Sequence, residues 1–321
     1  MQTVAVALDA MATRFQIVLH GENPVTLQAA GEEALNEVER LEDQLSLYRP
    51  ASEIAHLNCR AARGPVKVTP ALFALLQHAR RLHEESNGAF DITVAPLVRC
   101  WGFMGGNGRV PTGEEVAEAR TKVGMHLVAL NAQDSTVQFA RQGVMLDLGA
   151  IGKGYAVERA AEVLRGAGVT SALIHGGTST VYALGHPPDA ESWNIAVENP
   201  RSPVSANSLL LTTVPLKDEA MSVSAVWGRS FAACGQTFGH VMDPRTGQPV
   251  KGALLAAVVL PSATETDALS TALLTLGSAG HDRIASLRPG MRTLLVLESE
   301  TDKQLHVESK GITLCTVRDA V

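Results

Sequence analysis

One stretch, residues 146–169, limits the fold more than any other part of the chain. Its letters, LDLGAIGKGYAVERAAEVLRGAGV, are typical of a strand, a glycine-rich turn and a helix in direct succession. Asp147 precedes the turn, Lys153 lies within it, and three glycines let the backbone approach a ligand closely. A charged, glycine-rich turn at the mouth of a helix is the usual place for an anion, often a phosphate. The stretch therefore predicts a phosphate site.

The turn does not match either of the common nucleotide-binding motifs. It is neither GxGxxG with a distant acid nor the P-loop GxxxxGK[ST], because Lys153 comes four residues after Gly149 and no Ser or Thr follows it. Taken alone, such a turn favours a plain strand-to-helix connection with a surface lysine. The other motifs decide between these two interpretations.

A second motif, FGHVMDPRTGQPV, spans residues 238–250. It places a histidine, His240, a carboxylate, Asp243, and an arginine on one turn-forming loop. An acid–base group beside a guanidinium suits the binding or breaking of a phosphate ester. His240 is the candidate for proton transfer, and Asp243 is expected either to orient it or to act as the base.

A third motif, ETDALSTALLTLG, predicts a helix that carries Asp267 and Thr271 at positions i and i+4. On a helix, both oxygens project from the same face, about one turn apart. Hard oxygen ligands of this kind suit Mg²⁺, which takes its remaining ligands from phosphate and water. The alternative is a solvated aspartate in the first turn of the helix, with Thr271 bonded back to its own backbone.

The rest of the chain predicts an α+β fold with a largely antiparallel, mixed sheet and packed helices. Asn23 and Pro24 are typical of a helix start, and a second helix is expected over 70–86. Other patterns predict a helix at 112–124, the helix after Lys153 and several strands. The predicted strands are 14–21, 126–131, 136–140, 144–148, 171–177, 193–199, 208–216, 253–262, 291–299 and 311–317. No linker divides the chain, so we expect one domain spanning 1–321, either undivided or built from two interleaved subdomains.

Composition excludes several classes of function. The net charge is −6 without a basic block, and only 4% of residues are aromatic, which argues against nucleic-acid binding. No apolar run is long enough for a membrane span. The four cysteines lack CxxC spacing, so neither a zinc site nor a disulfide framework is indicated, and reduced, mostly packed thiols are expected.

The ordered motifs resemble the ApbE family of FAD:protein FMN transferases. The matching pieces cover roughly residues 11 to 280, and an ordered set is far more specific than any one of them. They are MATRF, LSLYRPASEIAHLN, GAFDITVAPL, the opening stretch, IHGG, HVMDPRTGQPV and TDALSTALLTLG.

The resemblance implies a reaction and a set of residues. Enzymes of this kind use Mg²⁺ to cleave FAD at its pyrophosphate, release AMP and attach FMN to a Thr or Ser hydroxyl of an acceptor protein. Positions that match FAD-binding positions of the family are Met11, Tyr48, Ala89, Phe90, Asp91, Asp147, Lys153, His240 and Val241. Positions that match magnesium ligands are Ala150, through its carbonyl, Asp267 and Thr271.

Three functions stay open at this stage: the transferase, an FAD pyrophosphatase that releases FMN and AMP to water, and an FAD-binding or delivery protein without turnover. The start of the chain has neither a cationic, apolar leader pattern nor a lipobox cysteine. The expected location is therefore cytoplasmic, or periplasmic for a mature form whose leader has been removed.

Overall fold

The fold is built on one large sheet with helices packed against it. The computed structural model describes residues 1–201, 210–233, 235–299 and 303–314. The helices are α1 (Pro24–Leu45), α2 (Glu53–Arg60), α3 (Pro70–Glu85), α4 (Ala95–Cys100), α5 (Gly113–Arg120), α6 (Gly152–Gly166), α7 (Ala263–Leu276) and α8 (Ser278–Ala285). The strands are β1 (Gln2–Ala10), β2 (Thr13–Gly21), β3 (Val66–Lys67), β4 (Val128–Asn131), β5 (Thr136–Phe139), β6 (Ala172–Gly176), β7 (Thr180–Leu184), β8 (Trp193–Glu198), β9 (Leu210–Leu216), β10 (Glu219–Ala225), β11 (Ser230–Ala233), β12 (Gln236–Gly239), β13 (Met242–Asp243), β14 (Gln248–Pro249), β15 (Ala253–Leu260), β16 (Arg292–Glu298) and β17 (Leu305–Lys310).

The main sheet has eight strands in the order β1-β2-β6-β7-β10-β15-β16-β17. Every ladder of this sheet is antiparallel. Smaller sheets join β3, β5 and β4, and the pairs β8–β9, β11–β12 and β13–β14. The predicted α+β class with a largely antiparallel sheet is confirmed.

Helix α1 forms as its sequence predicts. The Asn23 side chain accepts hydrogen bonds from the first backbone N–H groups, and Pro24 occupies the first helical position, where no N–H is needed. The residues at three- and four-residue steps along the helix are buried against the sheet. They are Leu27, Ala34, Val38, Leu41 and Leu45.

Helices α6 and α7 lie in close contact, and this contact positions the site described below. A Cβ atom added to Gly154 would lie 2.1 Å from the carbonyl oxygen of Ala263, so only glycine lets the helices approach this closely. The Glu158 carboxylate also accepts hydrogen bonds of 2.8 Å from the Ser262 hydroxyl and from the Thr264 N–H. A side chain of α6 thereby satisfies the orphan donors at the start of α7.

Two predicted strands differ from the structure. Residues 144–148 form no strand, because the Asn58 amide binds both backbone groups of Leu146 at 2.9 and 2.8 Å. The Asp147 N–H donates to the carbonyl of Ile92 at 2.7 Å. At the end of the chain, the last described strand is β17, and residues 311–314 lie outside any strand. The remainder of the predicted strand 311–317 lies outside the described residues.

The predictions about the cysteines and about membrane spans are tested only within the described residues. Cys59 is exposed and Cys100 is half-buried, and both are free, so the expectation of packed thiols is wrong for Cys59. Cys234 and Cys315 lie outside the described residues. Within the described ranges, no helix is both long and apolar enough to cross a membrane.

Candidate active site

A cleft of about 1020 Å³ opens at one end of the main sheet. Its walls come from the β1–β2 connection, the segment after α1, the loop after α4, the start of α6 and the loop between β10 and β11. The residues that line it are Met11, Ala12, Glu42, Leu45, Ser46, Leu47, Tyr48, Arg49, Phe103, Gly105, Gly106, Asn107, Asp147, Leu148, Gly149, Gly152, Lys153, Gly228, Arg229 and Ser230. The cleft therefore brings together four of the predicted site residues, Met11, Tyr48, Asp147 and Lys153.

The β1–β2 hairpin tip holds a strained backbone against the cleft. Met11 and Ala12 both have positive φ, 51° and 58°, between the paired residues Ala10 and Thr13. Two-residue hairpin turns of this kind favour Asn-Gly, so Met-Ala here is unusual. The Met11 N–H donates to a Glu42 carboxylate oxygen at 2.8 Å, which stabilises the turn. Strain held in this way is characteristic of ligand-contacting segments.

The start of α6 places a cation and an anion on the same wall. Lys153 belongs to the first turn of the helix, which begins at Gly152, and its ammonium donates to the Gly149 carbonyl at 3.3 Å. The Asp147 carboxylate accepts the Gly149 N–H at 2.8 Å. Burial raises the pKa of Asp147, although that hydrogen bond and nearby positive charges oppose the shift. No carboxylate within the described ranges pairs with Lys153, so its charge is available to a ligand.

His240 has a defined orientation. Its Nδ1 lies 3.2 Å from the carbonyl oxygen of Arg229, and its backbone N–H donates to the same oxygen at 3.0 Å. A carbonyl only accepts, so Nδ1 carries the proton and the neutral ring keeps Nε2 as an acceptor. Burial lowers the pKa of His240, and the charges of Arg229 and Lys153 lower it further. The ring is therefore neutral near pH 7 and able to accept a proton.

Asp243 makes its contacts within its own turn. Its carboxylate accepts hydrogen bonds from the Arg245 backbone N–H and from the Arg245 guanidinium, each at 2.9 Å. The ring nitrogen Nδ1 of His240 is bonded to Arg229 rather than to Asp243. The Asp243–Arg245 pair holds the turn between β13 and β14, and the predicted catalytic role of Asp243 stays a prediction.

The candidate magnesium ligands lie where α6 meets α7. Asp267 Oδ2 accepts the Gly154 N–H at 2.8 Å, and Thr271 Oγ1 lies 3.0 Å from Ser224 Oγ and 3.3 Å from the carbonyl oxygen of Asp267. Asp267 was expected in the first turn of its helix. Since α7 begins at Ala263, the residue lies one turn further in and is buried, so it is no solvated end charge.

These residues fit a hard cation by their donor chemistry. Within the described parts of the chain, Asp267 Oδ1 and the carbonyl oxygen of Ala150 accept no hydrogen bond, and both are oxygen donors. Asp267 is only 4% exposed, and its Oδ1 is an anionic oxygen that stays available to a cation. No group of three or more His, Cys, Asp or Glu side chains among the described residues is arranged to hold a metal. Mg²⁺ sites need only one or two carboxylates, so this set suits Mg²⁺.

Other predicted site residues lie behind the cleft wall. Ala89, Phe90 and Asp91 are buried. Asp91 accepts hydrogen bonds from the backbone and hydroxyl of Thr93 at 2.7 and 2.6 Å, and it pairs with His83 at 3.2 Å. These side chains support the loop that binds the Asp147 backbone through Ile92.

Val241 also lies away from the cleft lining. It is half-buried and packs against the main core. Its carbonyl accepts the Val250 N–H at 2.9 Å, which ties the strands on either side of the DPRTG turn together. Val241 thus sets the position of the neighbouring His240 backbone.

The sequence motifs missed several cleft residues. Arg229 is the main one, since it lies in a segment, SAVWGRS, that carries no recognised chemical pattern. Phe103, whose ring meets His240 edge-on at 6.5 Å between centroids, and Glu42, which binds the hairpin tip, were also missed.

Known proteins resemble this chain over most of its length. The sequence model of the ApbE family matches residues 11–295. The FAD:protein FMN transferase of Treponema pallidum (strain Nichols) is 29% identical over 325 residues, which cover 97% of this chain and 88% of the relative. That of Vibrio cholerae serotype O1 is 32% identical over 257 residues, which cover 78% of this chain and 74% of the relative.

Solved structures agree as well. The crystal structure of the ApbE protein from Thermotoga maritima is similar with a TM-score of 0.84 and 28% identity, covering 95% of this chain and 96% of that one. The apo form of the flavinyl transferase ApbE from Pseudomonas stutzeri is similar with a TM-score of 0.83 and 28% identity, covering 97% of this chain and 95% of that one. The fold is that of a flavinyl transferase. The chain belongs to the ApbE family, as its motifs predicted.

Proposed function

We propose that this protein is a magnesium-dependent FAD:protein FMN transferase that attaches FMN to a Thr or Ser hydroxyl of an acceptor protein and releases AMP. The relatives named above carry the FAD:protein FMN transferase name, which supports the donor and the class of product. Magnesium dependence and the acceptor hydroxyl rest on the chemistry of the cleft and on the motif resemblance.

One observation carries the proposal: a neutral histidine lies beside cations that have no acidic partner in the described chain. Lys153 and Arg229 both line the cleft, and the positive charges of both reach His240. Such a site attracts a polyanion such as a pyrophosphate and keeps a base ready next to it. A riboflavin-only site would need neither cation.

The proposed step is a substitution at the phosphorus of the FMN half of FAD. His240 Nε2 removes the proton of the acceptor hydroxyl, whose oxygen forms a bond to that phosphorus. The bond from phosphorus to the bridging oxygen breaks, and the bridging oxygen leaves with AMP. Lys153 donates a hydrogen bond to the phosphate oxygens and offsets the charge that builds on the leaving group.

Magnesium would be held by the Ala150 carbonyl, the Asp267 carboxylate and the Thr271 hydroxyl. When bound, it offsets the negative charge of the pyrophosphate. The Thr271 hydroxyl contacts the backbone carbonyl oxygen of Asp267, and the Gly154 N–H donates to the Asp267 carboxylate. The proposed ligands are therefore held by both α6 and α7. This double support orients the Asp267 carboxylate toward the start of α6.

The remaining predicted contacts form two groups. Met11 and Tyr48 line the cleft, and Tyr48 is 61% exposed, so its ring is available to stack on a planar ligand. The side chains of Ala89, Phe90 and Asp91 are buried, so we assign them to holding the wall and leave FAD contacts to their backbone. We assign Val241 the role of positioning the neighbouring backbone of His240.

The test incubates the protein with FAD, Mg²⁺ and a peptide that contains one Thr or Ser, and measures AMP together with peptide mass. We expect AMP and peptide mass to rise together by one FMN per AMP, and both to stop when EDTA is added. The matched control peptide has that Thr or Ser replaced by alanine and should stay unmodified.

Each other outcome identifies a rival function. AMP release with an unmodified peptide identifies an FAD pyrophosphatase. Tight FAD binding without AMP identifies a binding or delivery protein. Full activity in EDTA would remove the magnesium assignment while leaving the transferase assignment intact.

A further inference from the structure

Arg229 lies in the loop that joins β10 to β11 and lines the cleft. Its neighbours Gly228 and Ser230 line the cleft with it, and they form a wall separate from the one that carries Lys153. The guanidinium is exposed to the cleft. Its charge reaches Asp147 and His240, because it lowers the pKa of both groups.

The cations of the cleft differ in their pairing. Arg49 is bonded to the carboxylates of Glu42 and Asp43, so its charge is neutralised inside the protein. Lys153 contacts only the Gly149 carbonyl. In the part of the chain that the structure describes, the Arg229 guanidinium has neither a hydrogen bond nor an ion pair. Two cleft cations therefore keep their full charge, and they come from different elements.

We propose that Arg229 is a second pyrophosphate-binding residue, which contacts the phosphates from a different element than Lys153 and makes the cleft select phosphorylated flavins. The proposal rests on the proposed function for the identity of the ligand. A guanidinium presents several N–H donors in a planar fork, which suits two phosphate oxygens at once. Lys153 supplies a point charge from α6.

The backbone of Arg229 has a separate role from its side chain. Its carbonyl oxygen accepts both the backbone N–H and the ring Nδ1–H of His240, at 3.0 and 3.2 Å. Arg229 is thus also a positioning residue that holds the histidine with Nε2 free. A side-chain substitution keeps this carbonyl, so Arg229→Gln isolates the guanidinium.

The test measures dissociation constants for FAD, ADP and riboflavin with the wild type, Arg229→Gln and Arg229→Lys. We expect Arg229→Gln to weaken FAD and ADP about 10-fold, the usual size for a lost charged hydrogen bond. Riboflavin, which has no phosphate, should bind unchanged. Arg229→Lys should recover part of the loss, since the charge stays and the fork is lost.

Arg63→Gln is the matched control. Arg63 is equally exposed, lies outside the cleft lining, and its removal changes the net charge by the same amount. Its three dissociation constants should equal those of the wild type. A loss in both variants would assign the effect to overall charge and would overturn the proposal.

A second readout uses pH. Arg229 lowers the pKa of His240, so removing its charge should move the acid limb of kcat/KM to higher pH, whereas a purely structural change would lower activity without moving that limb. Unchanged FAD and ADP affinity in Arg229→Gln, or an equal loss for riboflavin, would overturn the proposal. If the wild type bound ADP but failed to turn over FAD, the proposed function would fail, and the ADP arm would still decide the role of Arg229.

Discussion

Two carboxylates of α7, Glu265 and Asp267, stand two residues apart and have opposite surroundings. Glu265 faces α3 and the segment after α8, where it binds His78 at 3.0 Å, Arg81 at 3.1 Å and the Arg288 guanidinium at 2.8 Å. Asp267 faces α6 and takes one backbone N–H. One acid is fully paired within the protein, and the other leaves an oxygen without a partner in the described chain.

The pairing decides what each acid contributes. Although burial alone would raise it, hydrogen bonds from His78 and Arg288 lower the pKa of Glu265 to about 2. Its charge is compensated by the residues that join α7 to α3. The Arg288 guanidinium also pairs with the Glu85 carboxylate at 2.7 Å, which extends the network. A charge compensated in this way stabilises the fold and has nothing left for a ligand. The same contrast separates Arg49 from Lys153 in the cleft.

The largest expected effect comes from Asp267→Asn. The amide oxygen can still accept the Gly154 N–H, so the fold should be kept, but the anionic metal ligand is lost. We expect AMP release to fall more than about 100-fold, since metal stabilisation of phosphoryl transfer amounts to several kcal/mol. The measurement is kcat across a magnesium titration, with the thermal midpoint as the check on folding. Near-normal turnover at modest magnesium would remove Asp267 from the metal site.

Glu265→Gln should have the reverse profile, a loss of stability with turnover retained. Removing the charge leaves Arg288 and His78 without their acid, and we expect a cost of about 2 kcal/mol, below the usual figure for fully buried pairs because the arginines are partly exposed. Chemical unfolding measures it. A variant as stable as the wild type but inactive would show that the two acids have been assigned the wrong way round.

The same carboxylate predicts a pH dependence. The pKa of Glu265 in the folded protein is about 2, below its ordinary value of 4.5, so its stabilisation is fully present above 4.5. It is lost as the pH falls from 4.5 through about 2. Unfolding free energies of the wild type and Glu265→Gln should therefore converge over this range, and parallel curves would contradict the prediction.

Gly154→Ala tests the contact between α6 and α7. The new Cβ would meet the Ala263 carbonyl at 2.1 Å and the Asp267 Cβ at 2.6 Å, so α6 and α7 must move apart. We expect about 1–3 kcal/mol of destabilisation and a higher magnesium requirement. Gly166→Ala is the matched control in the same helix, because no atom lies within 4 Å of its added Cβ. It should be neutral or stabilising by up to about 0.5 kcal/mol. Equal effects of the two changes would disprove the packing argument.

Capping residues and apolar periodicity predicted the helices that are stabilised by contacts between residues close in sequence. Helix α1 follows from its cap and its apolar face, and the capping box of Thr112 and Glu115 marks α5. The predicted strand 144–148 failed because its backbone binds an amide side chain 88 residues away, which no periodicity reports. Strand β1 was missed because its alternating pattern of small residues is weak.

The site was predictable only in part. Lys153 and Asp147 belong to one motif with a glycine turn, so the local sequence alone predicts that they lie close together. The cleft position of Arg229 depends on the loop that leads from β10 in the main sheet to the separate β11–β12 pair. The strain at Met11 and Ala12 is held by Glu42, which lies 31 residues further on. Tertiary contacts of this kind override local propensity.

The hydrogen bond between Asp267 and Gly154 joins residues 113 positions apart, and this separation has a consequence for biosynthesis. A ribosome releases β1, β2 and α6 well before it has made α7. The emerging chain then presents Lys153 and the glycine turn without the acid that α7 supplies. Under the proposed metal assignment, a growing or truncated polypeptide cannot transfer FMN. Translation itself therefore delays flavin chemistry until the last third of the protein has been made.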